Sequence, residues 1–125
     1  MDLFLRPEML AVCQLATGTK WPTPPPDGSL FSITAAETGL TVVCRPDQVP
    51  PGARVEPDWR ALSVVGPLDF SLIGVIGSLT TLLAEAGVSV FVLSTFDTDH
   101  VLIKEDTVDM AIDALREAGH TVTTD

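Results

Sequence analysis

The sequence predicts an α+β fold, with a ferredoxin-like βαββαβ unit in the C-terminal half and a smaller, β-rich unit before it. In the second half, strand-like apolar runs alternate with apolar residues at helical spacing. In the first half lie nine of the ten prolines, which disfavour helices and central strands. The change occurs near residue 60, so we expect two units, residues 1–59 and 60–125.

Composition indicates a folded protein and argues against one class of partner. The chain has 125 residues, of which 46% are hydrophobic and 19% charged, an ordinary balance for a globular domain. Its formal net charge is -10, and residues 61–125 alone carry ten acidic against two basic side chains. Because such a surface repels a phosphate backbone, we expect no nucleic-acid partner.

Neither a membrane segment nor a targeting segment is expected. The sequence has no run of about 18 apolar residues, and its first seven residues lack the pattern of a signal peptide. We therefore expect a cytoplasmic protein with no membrane partner. Cys13 and Cys44 lie in apolar, strand-like segments. They are expected to be buried free thiols, with a disulfide or a metal pair as the alternative.

The elements of the first unit are predicted from alternation and from turn residues. Two proline-rich stretches, residues 21–28 and 49–52, are expected to be loops. Gly39 can adopt the positive φ of a tight turn, so Glu37, Thr38 and Gly39 predict a hairpin. The apolar runs that we interpret as strands are residues 8–15, 30–34 and 40–44, with residues 55–59 as a joint to the second unit.

The second unit reads strand, helix, strand, strand, helix, strand, which is the order of the split βαβ fold. Apolar residues from Leu72 to Ala86 recur at spacings of three and four, and Gly87 suits a helix C-terminus. The predicted elements are strand 59–66, helix 71–86, strand 88–94, a turn at 95–98, strand 99–103, helix 105–118 and edge strand 120–123.

Two runs give the second unit a resemblance to the ACT-domain superfamily. The runs are Gly66-Pro67-Leu68-Asp69 and Ser94-Thr95-Phe96-Asp97-Thr98-Asp99-His100. More narrowly, the chain resembles small bacterial tandem ACT-like proteins related to aspartate kinase regulatory domains and to cytosolic arginine sensors. The likeness covers residues 60–125 and, more loosely, residues 31–59 as a reduced ACT-like unit. It implies amino-acid ligands held at the interface between ACT-like units, and a homodimer.

A free amino acid needs hydrogen-bond donors for its carboxylate and acceptors for its ammonium group. The segment from Asp69 to Gly74 leads into the first predicted helix, whose early N–H groups lack intrahelical partners. The loop after the next strand offers carbonyl oxygens, and the resemblance implies that Asp99 contacts the amine. The predicted ligand-binding residues are Asp69, Ser71, Leu72, Ile73, Gly74, Val75, Ser94, Thr95, Phe96 and Asp99.

Each of these residues also has a purely structural interpretation. Asp69 or Ser71 can cap the first helix, Gly74 can serve turn geometry or helix packing, and Asp99 can stabilise a strand connection. Phe96 is more commonly a core residue than a ligand contact. The tryptophans Trp21 and Trp59 are interpreted as core or subunit-contact residues. A metal site at Asp97, Asp99 and His100 is disfavoured, because alternation along a strand places His100 on the opposite face.

The function that these observations and the resemblance favour is that of a non-catalytic regulatory module, which binds a small molecule, expected to be an amino acid, at the interface of ACT-like units in a homodimer. The alternative is a structural or protein-interaction dimer that has no ligand. An enzyme is not expected, because no nucleophile with its base and no glycine-rich phosphate loop is present in the sequence. No cofactor is predicted.

Overall fold

The structure is a computed structural model that describes residues 1–66 and 74–124. The chain divides into two compact units, which we call the α+β unit (Met1–Pro7 with Arg60–Asp125) and the β unit (Glu8–Trp59). Residues 1–7, expected in the N-terminal unit, belong to the α+β unit instead. The described residues form eight strands and two α-helices.

The α+β unit contains the predicted strand–helix–strand–strand–helix–strand order, which confirms the expected fold class. The order along its sheet is β8–β1–β5–β7–β6. The elements are β1 (Asp2–Leu5), the later part of β5 (Arg54–Val64), α1 (Val75–Glu85), β6 (Val90–Ser94), β7 (Asp99–Lys104), α2 (Val108–Glu117) and β8 (Thr121–Thr123).

Strand β1 was not predicted, and it changes the sheet. Leu3 pairs with Val64 in the antiparallel direction and with Val122 in the parallel direction, so β1 lies between β5 and β8. Leu3 and Leu5 are buried while Asp2 is exposed, which is the alternation of a strand with one face in the core. The N-terminal residues therefore complete the sheet of the α+β unit.

The helix boundaries differ from the predictions at both N-termini. Helix α1 begins at Val75 because Gly74 has a φ of 77°, a left-handed conformation that ends helical geometry. The predicted start at residues 71–73 lies outside the described residues. Before α2, residues Glu105–Thr107 form a 3-10 turn instead of α-helix. In the part of the chain that the structure describes, no helix has the length and apolar character needed to cross a membrane.

The core of the α+β unit is formed by both helices and the sheet. Helix α1 buries Leu79 and Leu83, and α2 buries the apolar positions of one face. The buried cluster contains Leu3, Leu5, Leu62, Val64, Leu79, Leu83, Val88, Val101, Ile103, Val108, Ala111, Ile112, Leu115 and Val122.

The β unit is an antiparallel sheet in the order β3–β4–β2–β5, formed by β2 (Leu10–Leu15), β3 (Ser32–Ala36), β4 (Gly39–Cys44) and the start of β5. The predicted hairpin is confirmed, because Ala36 pairs with Gly39 across the two-residue turn. Gly39 has a φ of 133°, and a Cβ atom there would lie 2.5 Å from the Leu15 carbonyl oxygen.

Residues 55–59, predicted as a joint, belong to β5, and the boundary between the two units falls directly after Trp59. The strand accommodates Pro57 and an Asp58 residue with a φ of 65°. The pairing of β2 with β5 shifts in register between Leu10, which pairs with Trp59, and Val12, which pairs with Glu56. Pro57 and Asp58 lie between these two paired residues of β5. A bulge of this kind allows a strand to continue through residues that disfavour a regular ladder.

The cysteines follow the prediction, whereas one of the two tryptophans is not a core residue. Cys13 and Cys44 are free thiols with exposed fractions of 2% and 0%, in an apolar cluster with Leu15, Leu40 and Val42. Trp21 is 58% exposed, so its interpretation as a core residue is wrong.

Candidate functional site

The predicted acidic loop is a tight turn between β6 and β7. Its ends are the paired residues Ser94 and Asp99. The Thr95 backbone N–H donates to the Thr98 carbonyl at 2.9 Å, and the Thr95 hydroxyl donates to the same oxygen at 3.2 Å. The predicted turn at 95–98 is thereby confirmed, and it brings together four of the predicted site residues, Ser94, Thr95, Phe96 and Asp99.

A threonine that the sequence reasoning did not single out attaches this turn to β5. The Thr98 hydroxyl donates to the Val64 carbonyl oxygen at 2.7 Å. Val64 is the last residue of β5, and the chain continues from it toward Gly74. The acidic turn and the start of the connection to α1 are therefore held at the same end of β5.

Within the turn, the charged and aromatic side chains differ in their surroundings. Asp99 is partly buried, and its Oδ1 accepts a hydrogen bond from the Ser94 hydroxyl at 2.6 Å. A carboxylate can accept several hydrogen bonds, so this contact orients Asp99 and leaves the carboxylate able to accept more. Asp97 is exposed. Phe96 is 79% exposed, so its interpretation as a core residue is wrong.

His100, next to Asp99, is buried and forms a hydrogen bond inside the protein. Its exposed fraction is 6%, and its Nδ1 lies 2.7 Å from the hydroxyl of Ser63, which is itself buried in β5. A hydrogen-bonded pair of this kind satisfies two polar groups inside an apolar core. Among residues 1–66 and 74–124, no group of three His, Cys, Asp or Glu side chains is arranged to hold a metal ion.

Gly74 is the N-cap residue of α1, a position that we considered for Asp69 or Ser71. Because glycine has no side chain, Gly74 offers no oxygen to the first N–H groups of the helix. A Cβ atom at Gly74 would meet nothing within 4 Å, so the positive φ accounts for this glycine and close packing does not. Val75 follows as the first residue of α1.

The predicted site is therefore described in part. The turn from Ser94 to Asp99 and the start of α1 at Gly74 and Val75 lie within the described residues. The other predicted site residues, Asp69, Ser71, Leu72 and Ile73, lie outside them. Thr98 was missed because its role depends on a contact with β5, which the local sequence does not encode.

Comparisons with known proteins cover from 46% to 99% of this chain. A curated relative, the cytosolic arginine sensor for mTORC1 subunit 1 of Rattus norvegicus, is 37% identical over 59 residues. The match covers 46% of this chain but spans only 18% of the length of that relative. A crystallised protein of Agobacterium tumefaciens is 30% identical with a TM-score of 0.89, over 99% of this chain and 92% of the other.

A further solved structure shares the fold alone. The regulatory subunit of aspartate kinase from Thermus thermophilus is 14% identical, with a TM-score of 0.63 over 95% of this chain and 98% of the other. The family model of the ACT domain matches residues 54–117, which is more than half of the chain and includes β5, both helices and the turn between β6 and β7. This chain therefore belongs to the ACT domain family.

Proposed function

We propose that this protein is a regulatory, non-catalytic binding protein for a free amino acid. The proposed site combines Gly74, Val75 and the segment before them, which includes Asp69, Ser71, Leu72 and Ile73, with the turn formed by Ser94, Thr95, Phe96 and Asp99. In support, the chain belongs to the ACT domain family, and relatives of the chain are named as an arginine sensor and as a regulatory subunit.

The hydrogen bond from Thr98 to Val64 is the observation on which this proposal depends most. An amino acid is short, so its carboxylate-binding and ammonium-binding groups must be only a few ångströms apart. The contact holds the Asp99 turn at the end of β5, where the connection to α1 begins. Asp99 supplies negative charge for the ammonium group, while the first N–H groups of α1, which have no partner within the helix, suit the carboxylate.

A cationic amino acid is the favoured ligand class. The chain has a formal charge of -10, and ten of its seventeen acidic side chains lie in residues 61–125 with only two basic ones. Such a surface attracts cations over a distance of roughly 8 Å at physiological salt. Because a relative is named an arginine sensor, arginine is the first amino acid to test.

The proposal also covers assembly and location. We propose a homodimer, because β6 and β8 are the outer strands of the α+β sheet as described and such strands can pair with another chain. We propose a cytoplasmic location in line with the relative that is named cytosolic. The β unit, an antiparallel sheet with a 3-10 turn, is interpreted as a reduced second ACT-like unit.

The test is calorimetric titration of the full chain with each of the twenty amino acids, followed by the variant Asp99→Asn. Asparagine retains an oxygen that can accept the hydrogen bond from Ser94 but removes the charge. Since a hydrogen bond to a charged group contributes about 1.5–3 kcal/mol, we expect affinity to fall roughly tenfold to a hundredfold. Asp97→Asn, at the exposed tip of the same turn, should leave affinity unchanged.

Absence of binding heat for every amino acid would contradict the proposal. In that case, a stable dimer would favour the alternative, an interaction protein without a ligand. Equal losses of affinity in Asp99→Asn and Asp97→Asn would indicate a general effect of surface charge and would remove Asp99 from the proposed site.

A further inference from the structure

We propose that the β unit carries a binding site of its own for a small monocarboxylate. In this site Arg54 binds the carboxylate, and Gln14 accepts a hydrogen bond from a hydroxyl or ammonium group on the neighbouring carbon. The site lies within residues 8–59 and uses none of the residues of the proposed amino-acid site. Neither proposal depends on the other.

Arg54 and Gln14 lie directly opposite each other on neighbouring strands. Gln14 of β2 pairs with Arg54 of β5 on one side and with Thr41 of β4 on the other. Because side chains alternate along a strand, these three point away from the buried cluster that contains Cys13 and Leu15. Gln14 and Arg54 are exposed, and Thr41 is half-buried. The Cβ atoms of directly opposite residues are about 5 Å apart, so a small molecule can contact both side chains.

A cavity of about 270 Å³ opens beside Gln14 and Arg54. Its walls come from three segments of the β unit, which are the end of β2, the turn of the β3–β4 hairpin with Thr38, and the turn before β5 with Gly52. Gln14 Nε2 donates to the Thr38 carbonyl oxygen at 3.4 Å, so the hairpin orients the Gln14 amide. The volume is close to the lower end of the range for small-molecule sites, which suits a ligand of few carbon atoms.

Polar groups around this cavity have no partner within the described part of the chain. Among the seven Lys and Arg side chains, only Arg54 and Lys20 form no ion pair or hydrogen bond with the described residues. The Thr38 hydroxyl and Gln14 Oε1 form none there either. The cavity therefore presents a cationic donor, a hydroxyl that can donate, and an acceptor, from three separate segments.

The guanidinium of Arg54 favours a carboxylate as the ligand group. It is a planar fork of N–H donors that can bind both oxygens of a carboxylate. A second negative charge on the ligand is disfavoured, because the chain has a net charge of -10 and Glu56 lines a neighbouring cavity together with Arg54 and Gln14. Gln14 Oε1 can only accept, so it favours a hydroxyl or ammonium group next to the carboxylate. Lactate, a hydroxy acid, has this pattern of groups.

The test is a titration of the isotope-labelled full chain with lactate, followed by NMR spectra of the backbone amides. Propionate is the matched control ligand, because it has the size and charge of lactate without the hydroxyl group. With lactate we expect saturable shift changes at the amides of Gln14, Thr38 and Arg54. Because propionate lacks one neutral hydrogen bond, it should bind roughly twofold to tenfold more weakly.

Three variants test the roles of Arg54 and Gln14. Arg54→Gln removes the guanidinium and should weaken the binding of both ligands roughly tenfold or more, because hydrogen bonds to a charged group are lost. Lys20→Gln removes the same charge from an exposed position that does not line the cavity, and it should leave the affinity unchanged. Gln14→Leu removes the acceptor and should lower the affinity for lactate to that for propionate. Circular dichroism melting tests the folding of all three variants.

The possible results separate this site from the proposed amino-acid site. Absence of saturable shifts with lactate, or equal affinity of Arg54→Gln and the wild type, would overturn the carboxylate site. Equal affinity for lactate and propionate would overturn the role of Gln14. Asp99→Asn should bind lactate like the wild type, and a loss of binding in that variant would place lactate at the amino-acid site instead. Failure of the amino-acid titration leaves the expected result with lactate unchanged.

Discussion

The α+β unit and the β unit bury their apolar side chains in different ways. In the α+β unit, α1 and α2 supply apolar faces that pack with the sheet, and Leu115 and Ala111 are completely buried. The residues of the β unit, all within the described part, form no α-helix, and the cluster around Val42 and Cys44 comes from strands. Burial of the apolar side chains in a core built from strands alone depends on the register of the strands and the geometry of the turns. Helices bury additional apolar area that does not depend on strand register.

The largest expected difference concerns two leucines, one in each core. Leu115→Ala shortens a side chain that has an exposed fraction of 0% in the core of the α+β unit. Leu40→Ala shortens a side chain that has an exposed fraction of 4% in the core of the β unit. Burial on all sides prevents collapse of the cavity, so we expect Leu115→Ala to cost roughly 4 kcal/mol and Leu40→Ala roughly 2 kcal/mol. Urea unfolding measures both values.

The reverse order of these two values would contradict the comparison. It would mean that the strand core of the β unit is the more rigid of the two. The slope of the unfolding free energy against urea serves as the control, because an altered slope would indicate that a variant no longer unfolds in the same way as the wild type.

The parts of the fold that the sequence predicted are those with local signals. Helix spacing identified α1 and α2, and a glycine in a tight turn identified the hairpin of β3 and β4. Strand β1 was missed because four residues carry little periodicity, and its place between β5 and β8 depends on long-range pairing. The first part of β5 was missed because Pro57 normally indicates a loop.

The second comparison concerns Gly39 and Gly52, two glycines of positive φ in the β unit. A Cβ atom at Gly39 would lie 2.5 Å from the Leu15 carbonyl oxygen, whereas one at Gly52 would meet nothing within 4 Å. Gly39→Ala combines backbone strain with a steric clash and should lower stability by roughly 3 kcal/mol. Gly52→Ala incurs the strain alone, about 1 kcal/mol.

Thermal and urea unfolding of the two variants measure this difference. Equal losses of stability would show that the backbone at Gly39 moves away from Leu15 at little cost. The strand core of the β unit would then tolerate a change in turn geometry, contrary to the comparison with the α+β unit.

For the candidate site, the sequence identified a turn but not how it is held. The residues from Ser94 to Asp99 were predicted from turn chemistry and from the resemblance, and the structure describes them as a turn. The contact from Thr98 to Val64 joins positions 34 residues apart, so no local pattern could reveal it. His100 was assigned to the opposite face by alternation, and its burial beside Ser63 agrees with that assignment.

The smallest expected effect concerns the thiols in the strand core of the β unit. Burial raises the pKa of Cys44 from its ordinary value of 9.0 to about 12, and the neighbouring Cys13 contributes to the shift. The folded chain then retains the thiol proton above pH 9, where the unfolded chain loses it. Stability is therefore complete below pH 9 and falls as the pH rises from 9 toward 12, by about 1.4 kcal/mol at pH 10. Urea unfolding at pH 8 and pH 10 measures this loss, and in Cys44→Ala it should be smaller by that amount. An identical pH dependence in the wild type and in Cys44→Ala would show that the Cys44 thiol is accessible to water in the folded state. The strand core of the β unit would then be less well protected from water than the helix-covered core of the α+β unit.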